Sequence, residues 1–493
     1  MIKYFSEFKK IYMPTNKCQL IVYPNSLGNN LSDLNYALET YFSDIIGGVH
    51  ILPFYPSSAD RGFSPITYDT VDSQFGSWQD IHKIADKFEI MVDFMANHIS
   101  KQSIYFQDFL EKGHSSEYAD MFLPTTKLAP DGNISTQDIA KIYTRKPRAP
   151  FVEVVAKDGT KHIVWSTFEE EQIDVDIYSP VTRRVFEYYL DFLCQQNIKY
   201  LRIDAFAYVT KQLGTHSFFL EPYVWEVLDW IENKVSSYGI TILPEIHEHY
   251  SIQKSIQEKG FWVYDFSLPM LCLEAIFHNN AINLKYWLSI CPRNQFTTLD
   301  THDGIGVVDV ADLLSEEQIQ KTAEQISIRG GNLNERFSNN AEYQNVDIYQ
   351  INCTYYSALG EDDNSYIVAR TIQIFTPGIP QIYYVGLLAG KNDVELLEQT
   401  KVGRDINRHF YTLDEIKENI QKPVVQRLFN LMKFRNNCEA FLGELTILES
   451  ENDILHLRWD YNDIYAIAYI DLTNYIAQIE HNNPQGEVVY FNA

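Results

Sequence analysis

The chain has 493 residues, 45% of them hydrophobic and 22% charged, with 40 Lys and Arg against 66 Asp and Glu for a formal net charge of −26. That length holds a barrel of about 250 residues or more with further domains attached. The charge, with no basic stripe to offset it, argues against a nucleic-acid partner, because few cations remain to neutralise phosphates. The six cysteines (18, 194, 272, 291, 353 and 438) show no CxxC spacing, which argues against a zinc or redox pair. No window approaches the apolar run of a membrane span. The opening MIKYFSEFKKIYMPTNK breaks every apolar stretch with Lys, Glu or Asn, so no signal peptide is expected and the cytoplasm is the expected compartment.

Short runs rich in Val, Ile and Tyr alternate with helical patterns to about residue 390, the sign of parallel βαβ units. The first three runs fall at 19–23, 48–52 and 90–93. About a hundred residues follow the third, too many for an ordinary βα connection. They carry the turn-rich LAPDGNISTQDIAKIYTRKPRAP and then VEVVAKDGTKHIVW, where Asp158-Gly159 signals a hairpin, so an inserted β-rich subdomain is predicted. In TRRVFEYYLDFLCQQ, Val185, Tyr189, Phe192 and Leu193 recur at helical spacing and predict a helix of the outer ring. Further runs at 200–204, 241–245, 262–265, 295–300 and 381–384 bring the number to eight. The polar RGGNLNERFSNNAEYQN after the seventh predicts a mobile flap, and beyond about Phe441 strands alternate without helices. The expected fold is a (β/α)8 TIM barrel with subdomains inserted after strands 3 and 7 and a small C-terminal antiparallel β-domain. The expected division is barrel over 1–98, β-rich subdomain over 99–178, barrel over 179–303, flap over 304–345, barrel over 346–440 and C-terminal β-domain over 441–493.

Catalytic side chains of such a barrel project from the C-terminal ends of its strands. The third run closes in Asp93-Phe-Met-Ala-Asn97-His98, the fourth in Arg202-Ile-Asp204, the fifth in Glu245-Ile-His247 and the seventh in Asp300-Thr-His302-Asp303. Carboxylates converging at one rim suit cleavage of a glycosidic bond, which needs an acid for the leaving oxygen and a carboxylate to meet the anomeric carbon. Asp204 is the expected nucleophile. Arg202 lies two residues earlier on the same strand face and is expected to keep it ionised. Glu245, after the apolar TILP, is the expected general acid, and Asp303 the third carboxylate, stabilising positive charge as it develops.

The segments DFMANH, LRIDAFAY, LPEIHEHY and LDTHDG resemble, in order, the signature regions of the α-amylase clan of glycoside hydrolases (glycoside hydrolase family 13). GGVHILPFYPSSADRGFSPITY, FGSWQDI, EEEQIDVDI, DIYQINCTYYSALG, PGIPQIYYVGLLAGKND and GRDINRHFY extend the likeness, from about residue 18 to 440, to the sucrose phosphorylase family within that clan. The resemblance implies transfer of glucose from sucrose to Asp204 and then to phosphate, with net retention. It implies Asp60 and Arg404 on the sugar hydroxyls, His98 and His302 as hydrogen-bonding partners, Phe63 and Phe168 as walls, and Gln172 and Tyr208 nearby. It places Tyr143 and the cations Arg145, Lys146 and Arg148 where the family contacts fructose or phosphate, with Arg145 the expected phosphate ligand, and Asp347 and Gln350 on the acceptor side. Tyr349 stands where relatives acting on sucrose 6′-phosphate tend to carry His, which favours unphosphorylated sucrose. Relatives acting on sucrose 6′-phosphate, glucosylglycerol or glucosylglycerate share the catalytic trio, so loop contacts decide the acceptor. An α-glucosidase shares the trio too, but the cationic loop argues against it. The resemblance implies no cofactor and no metal, although Asn97 resembles an amylase calcium ligand. The expected partners are small molecules, with the chain a monomer or homodimer.

Overall fold

Eight short strands, buried along almost every residue, form one parallel sheet: β1 (Gln19–Val22), β2 (Gly48–Ile51), β3 (Glu89–Met95), β4 (Tyr200–Asp204), β5 (Thr241–Pro244), β6 (Val263–Asp265), β7 (Gln295–Thr297) and β8 (Ile379–Tyr383). They come from a computed structural model that describes residues 15–129, 131–144, 148–333, 350–483 and 485–493. The bonded order is β6-β7-β8-β1-β2-β3-β4-β5, and its two end strands lie side by side, so the sheet curls into a nearly closed barrel. Burial on both faces is why these strands read as continuous apolar runs rather than as alternation. All eight predicted runs are strands of this sheet, with ends shifted by a few residues. β3 runs on to Met95 because β4 pairs it that far, as Met95↔Asp204, whereas β7 stops at Thr297, where its pairing with Asp265 and Pro380 ends.

Helices cover the barrel. In Pro180–Cys194, Ser179 caps the N-terminus by accepting from the Val181 N–H, Pro180 opens the first turn, and Val185, Phe186, Tyr189, Leu190 and Leu193 form the buried stripe. Phe192, expected in that stripe, is only partly buried and meets Trp78 edge to face.

The chain between β3 and β4 leaves and returns through a two-stranded antiparallel sheet, His98–Ser100 with Gln172–Asp174, in register His98↔Asp174 and Ser100↔Gln172. The predicted hairpin is present as Phe151–Val155 against Lys161–Trp165, its turn served by Gly159 at φ 86°. After β7, the stretch expected to be a flap contains a 13-residue helix, Glu316–Ile328, with a Ser315/Gln318 capping box. It also contributes Ile305–Gly306 and Asn332–Leu333 to a three-stranded sheet centred on Gln350–Asn352. Thr322, Ala323 and Ile326 are the buried residues of this otherwise polar helix, and residues 334–349, which include most of the segment expected to be a mobile flap, lie outside the described residues.

A five-stranded antiparallel sheet, Glu444–Ile447, Ile454–Tyr461, Ile464–Asp471, Ile476–Asn482 and Val488–Asn492, closes the chain. Among the described residues no helix is long and apolar enough to cross a membrane.

Candidate active site

Register builds the centre of the site. Because β3 pairs with β4 as Asp93↔Arg202 and Met95↔Asp204, the motifs at the two strand ends stand side by side. Arg202 is buried, and its Nη1 donates to both Asp93 Oδ1 and Asp204 Oδ1, the second at 3.0 Å, while Nη2 lies 3.9 Å from Glu245 Oε1. Asp93 is held from the other side by His50 Nε2 at 2.7 Å. Ala205, directly after Asp204, has φ 49°, a conformation costing a non-glycine residue roughly 1–3 kcal/mol. It turns the Ala205 N–H onto Glu245 Oε2 at 2.9 Å, which fixes the Glu245 carboxyl beside Asp204.

The electrostatics correct one expectation. Burial, with repulsion from Glu245, Asp93 and Asp303, pushes the Asp204 carboxyl well above the ordinary aspartate range, and Arg202 opposes this without prevailing. Its charge is divided, because Asp93 takes part of it, and against burial Asp93 is held below the ordinary range by His50 and Arg202. The crowded carboxylates around Asp204 thus hold a proton more tightly than a lone aspartate does. Asp303 behaves oppositely. Burial acts to raise its pKa, but His302, Arg404, His247 and Arg202 together hold it far below the usual carboxylate range.

Asp204, Glu245 and Asp303 share one cavity of about 290 Å³ with Asp60, Phe63, His98, Phe168, Gln172, Tyr208, His302, Gln350 and Arg404. Phe63 lies parallel to His302 with ring centres 5.0 Å apart, and Phe168 meets both His98 and Tyr208 edge to face. Arg404 Nη1 is 3.1 Å from Asp303 Oδ1 and 3.8 Å from Asp60 Oδ2. Both ring nitrogens of His98 have protein partners: Nε2–H donates to the Phe63 carbonyl at 2.8 Å, and Nδ1 faces Asn97 Nδ2 at 3.3 Å. Gln172 Nε2 donates to the same carbonyl at 2.9 Å. The pair therefore fixes the Phe63 wall, a task their sequence positions did not show.

Tyr143 stands behind the cavity wall, packed on Phe218 and Tyr208, and its hydroxyl donates to Glu248 Oε2 at 2.9 Å. Arg148, one of the three cations of its loop, turns inward, donating to the carbonyls of Ala149 and Phe168 and to Ser166 Oγ. Arg145, Lys146, Asp347 and Tyr349 lie outside the described residues.

His247 closes the fifth run in the sequence but has no role assigned there. Two residues after Glu245, it lines the cavity with Nε2 3.3 Å from Glu245 Oε1, Nδ1 3.4 Å from Asp309 Oδ2, and its ring stacked on Phe266. Burial would lower its pKa, but Asp309 and Glu245 raise it. The i, i+2 spacing that linked Arg202 to Asp204 could have found it. Among the described residues, Glu245, His247 and Asp303 bring three donor atoms within 4.8 Å of one another, the one cluster with a metal-like arrangement, and all three line the cavity. Asn97 Oδ1 accepts from the buried ammonium of Lys211, whose Nζ also pairs with Asp174 at 2.9 Å.

An eightfold parallel barrel with three carboxylates at its C-terminal rim and a β-rich insertion after β3 is the architecture of the α-amylase class, and the family model for the alpha amylase catalytic domain matches residues 33–257. The chain is 50% identical to the sucrose phosphorylase of Streptococcus mutans, over 86% of this chain and 88% of that protein. It is 47% identical to the glucosylglycerol phosphorylase of Marinobacter adhaerens, over 93% and 95%. The crystal structure of the sucrose 6F-phosphate phosphorylase of Thermoanaerobacter thermosaccharolyticum superposes with a TM-score of 0.93 at 45% identity, covering 98% of this chain and 99% of that one. The chain belongs to this phosphorylase family of the α-amylase clan.

Proposed function

We propose that this enzyme catalyses reversible, retaining phosphorolysis of sucrose, giving α-D-glucose 1-phosphate and D-fructose. The observation that carries the reading is one guanidinium, Arg202, reaching Asp204 at 3.0 Å and Glu245 at 3.9 Å behind a cavity that these two carboxyls line together with Asp303, Arg404 and Asp60. Asp204 attacks the anomeric carbon while Glu245 protonates the departing fructosyl oxygen, leaving a β-glucosyl ester on Asp204. Phosphate then loses a proton to Glu245 and attacks the same carbon from the opposite face, so two inversions give net retention. Asp303, held ionised, stabilises the positive charge that develops on the ring. Asp60 and Arg404 bind glucosyl hydroxyls, and Phe63 and Phe168 wall the ring. Arg145 is assigned to phosphate, since Arg148 is committed to carbonyls behind the wall. Tyr143, Asp347 and Gln350 are assigned to the acceptor side.

Relatives of nearly equal identity are named for glucosylglycerol and for sucrose 6(F)-phosphate, so the second reading keeps the mechanism and changes the leaving group. On either reading the ligands are small molecules and the chain works in the cytoplasm as a monomer or homodimer. The test is release of α-glucose 1-phosphate from sucrose and phosphate, run beside sucrose 6′-phosphate, glucosylglycerol and phosphate-free controls. Phosphate-dependent turnover fastest with sucrose is expected. Faster turnover of another glucoside moves the assignment to that substrate, and phosphate-independent glucose release overturns phosphorolysis.

A further inference from the structure

Asp60 and Arg404 come from different loops, after β2 and after β8, and nothing in either loop alone brings them to 3.8 Å. The turn that carries Asp60 is unfavourable by itself. Asp60 and Arg61 have φ 49° and 48°, and Gly62, at φ 108°, packs so closely on the Pro53 carbonyl that a Cβ would lie 2.4 Å from its oxygen. Two consecutive left-handed non-glycine residues persist only where their surroundings hold them.

Arg61 supplies the holding contacts. Its guanidinium leaves the β2 loop, pairs with the buried Asp405 at 2.8 Å, donates to the Arg408 carbonyl at 3.4 Å and lies over the Phe410 ring at 4.6 Å. The loop it grips is anchored to the segment after β7 in turn, because Arg408 Nε donates to the His302 carbonyl at 2.9 Å and Asn407 to the Thr301 carbonyl at 3.1 Å. One side chain thus ties the strained turn bearing Asp60 to the residue next to Arg404 and, through Arg408, to the segment after β7 that bears Asp303.

We propose that Arg61 is the positioning residue that sets the Asp60–Arg404 pair, acting from outside the cavity; this rests on the reading of that pair as glucosyl-binding. Arg61 does not line the cavity that holds the three carboxylates. A misplacement of the pair by about 1 Å is enough to weaken its hold on the transition state. The test measures kcat/KM for sucrose phosphorolysis in R61M, R61K, D60N and the double variant D60N/R61M, with circular dichroism to check folding.

R61M should lower kcat/KM about tenfold to a hundredfold, the loss expected of a misplaced binding group. R61K, which keeps the charge facing Asp405, should recover part of it. R61M should add nothing in the D60N background, because a residue acting through Asp60 has no effect once Asp60 is disabled. Wild-type activity in R61M while D60N is impaired overturns the positioning role, and so do losses that multiply independently in the double variant. Wild-type activity in D60N overturns the glucosyl-binding reading of the pair, and the role of Arg61 with it.

Discussion

Asp204 is poised between burial with its carboxylate neighbours, which push its pKa up, and Arg202, which pulls it down. The push prevails, so the crowded carboxyls around Asp204 together hold a proton at pH values where an unfolded aspartate, with a pKa of about 3.9, has released it. The folded form then binds more protons than the unfolded one, and wild-type stability falls as pH rises from the ordinary aspartate range towards the raised folded value. Asp204→Asn cannot ionise and escapes that loss. Its Tm should exceed the wild-type value by a margin that widens with pH over that window, while turnover should fall by about four orders of magnitude or more, the loss expected if the proposed nucleophile is removed. Thermal melts at a series of pH values beside the phosphorolysis assay measure both. A Tm gap that is flat or that closes with rising pH would show that the carboxyl is not destabilised in the fold.

At the scale of elements, the two-stranded sheet joining His98–Ser100 to Gln172–Asp174 decides how the β3 insertion meets the barrel. The sequence displays its ends as separate motifs, DFMANH and EEEQIDVDI, and nothing in the spacing shows that Lys211, seven residues beyond Asp204, turns back between them. The eight barrel strands were legible because a short run buried on both faces must be apolar along its length. Side chains that act through tertiary return were not: His50 behind Asp93, Arg148 folded onto carbonyls, and His98 and Gln172 sharing the Phe63 carbonyl. Lys211 is 3% exposed, pairs with the fully buried Asp174 and donates to Asn97, and Asp174 also accepts from the Thr167 N–H and hydroxyl next to Phe168. Lys211→Met would strand a buried carboxylate, a change that costs about 3–5 kcal/mol. The variant should melt at a clearly lower temperature and show a raised KM for sucrose, because Asn97 and Asp174 flank the residues that wall the cavity. Unchanged melting would mean that Thr167 and Asn97 suffice for Asp174.

For the whole molecule, the alternating pattern after residue 441 announced a sheet but not what it covers. Its inner face, with Leu455, Leu457, Trp459, Ala466, Ala468 and Ile470, is buried, and the sheet meets the helix Asp363–Phe375, where the Trp459 indole N–H donates to the Phe375 carbonyl at 2.9 Å. That helix is also a strut of the barrel. Its Arg370 pairs with the buried Asp300 at 2.8 Å, three residues before Asp303, and its Gln373 donates to carbonyls of both β7 and β8. Sheet and barrel therefore share one supporting element, and loosening either should loosen both. Trp459→Ala removes a buried indole, which costs about 3–5 kcal/mol in a core. Calorimetry should show a single unfolding transition moved to lower temperature, with phosphorolysis lost along it. Two transitions, the upper one at the wild-type temperature, would instead make the C-terminal sheet a unit that unfolds without the barrel and leave the Arg370–Asp300 pair to support the β7 end alone.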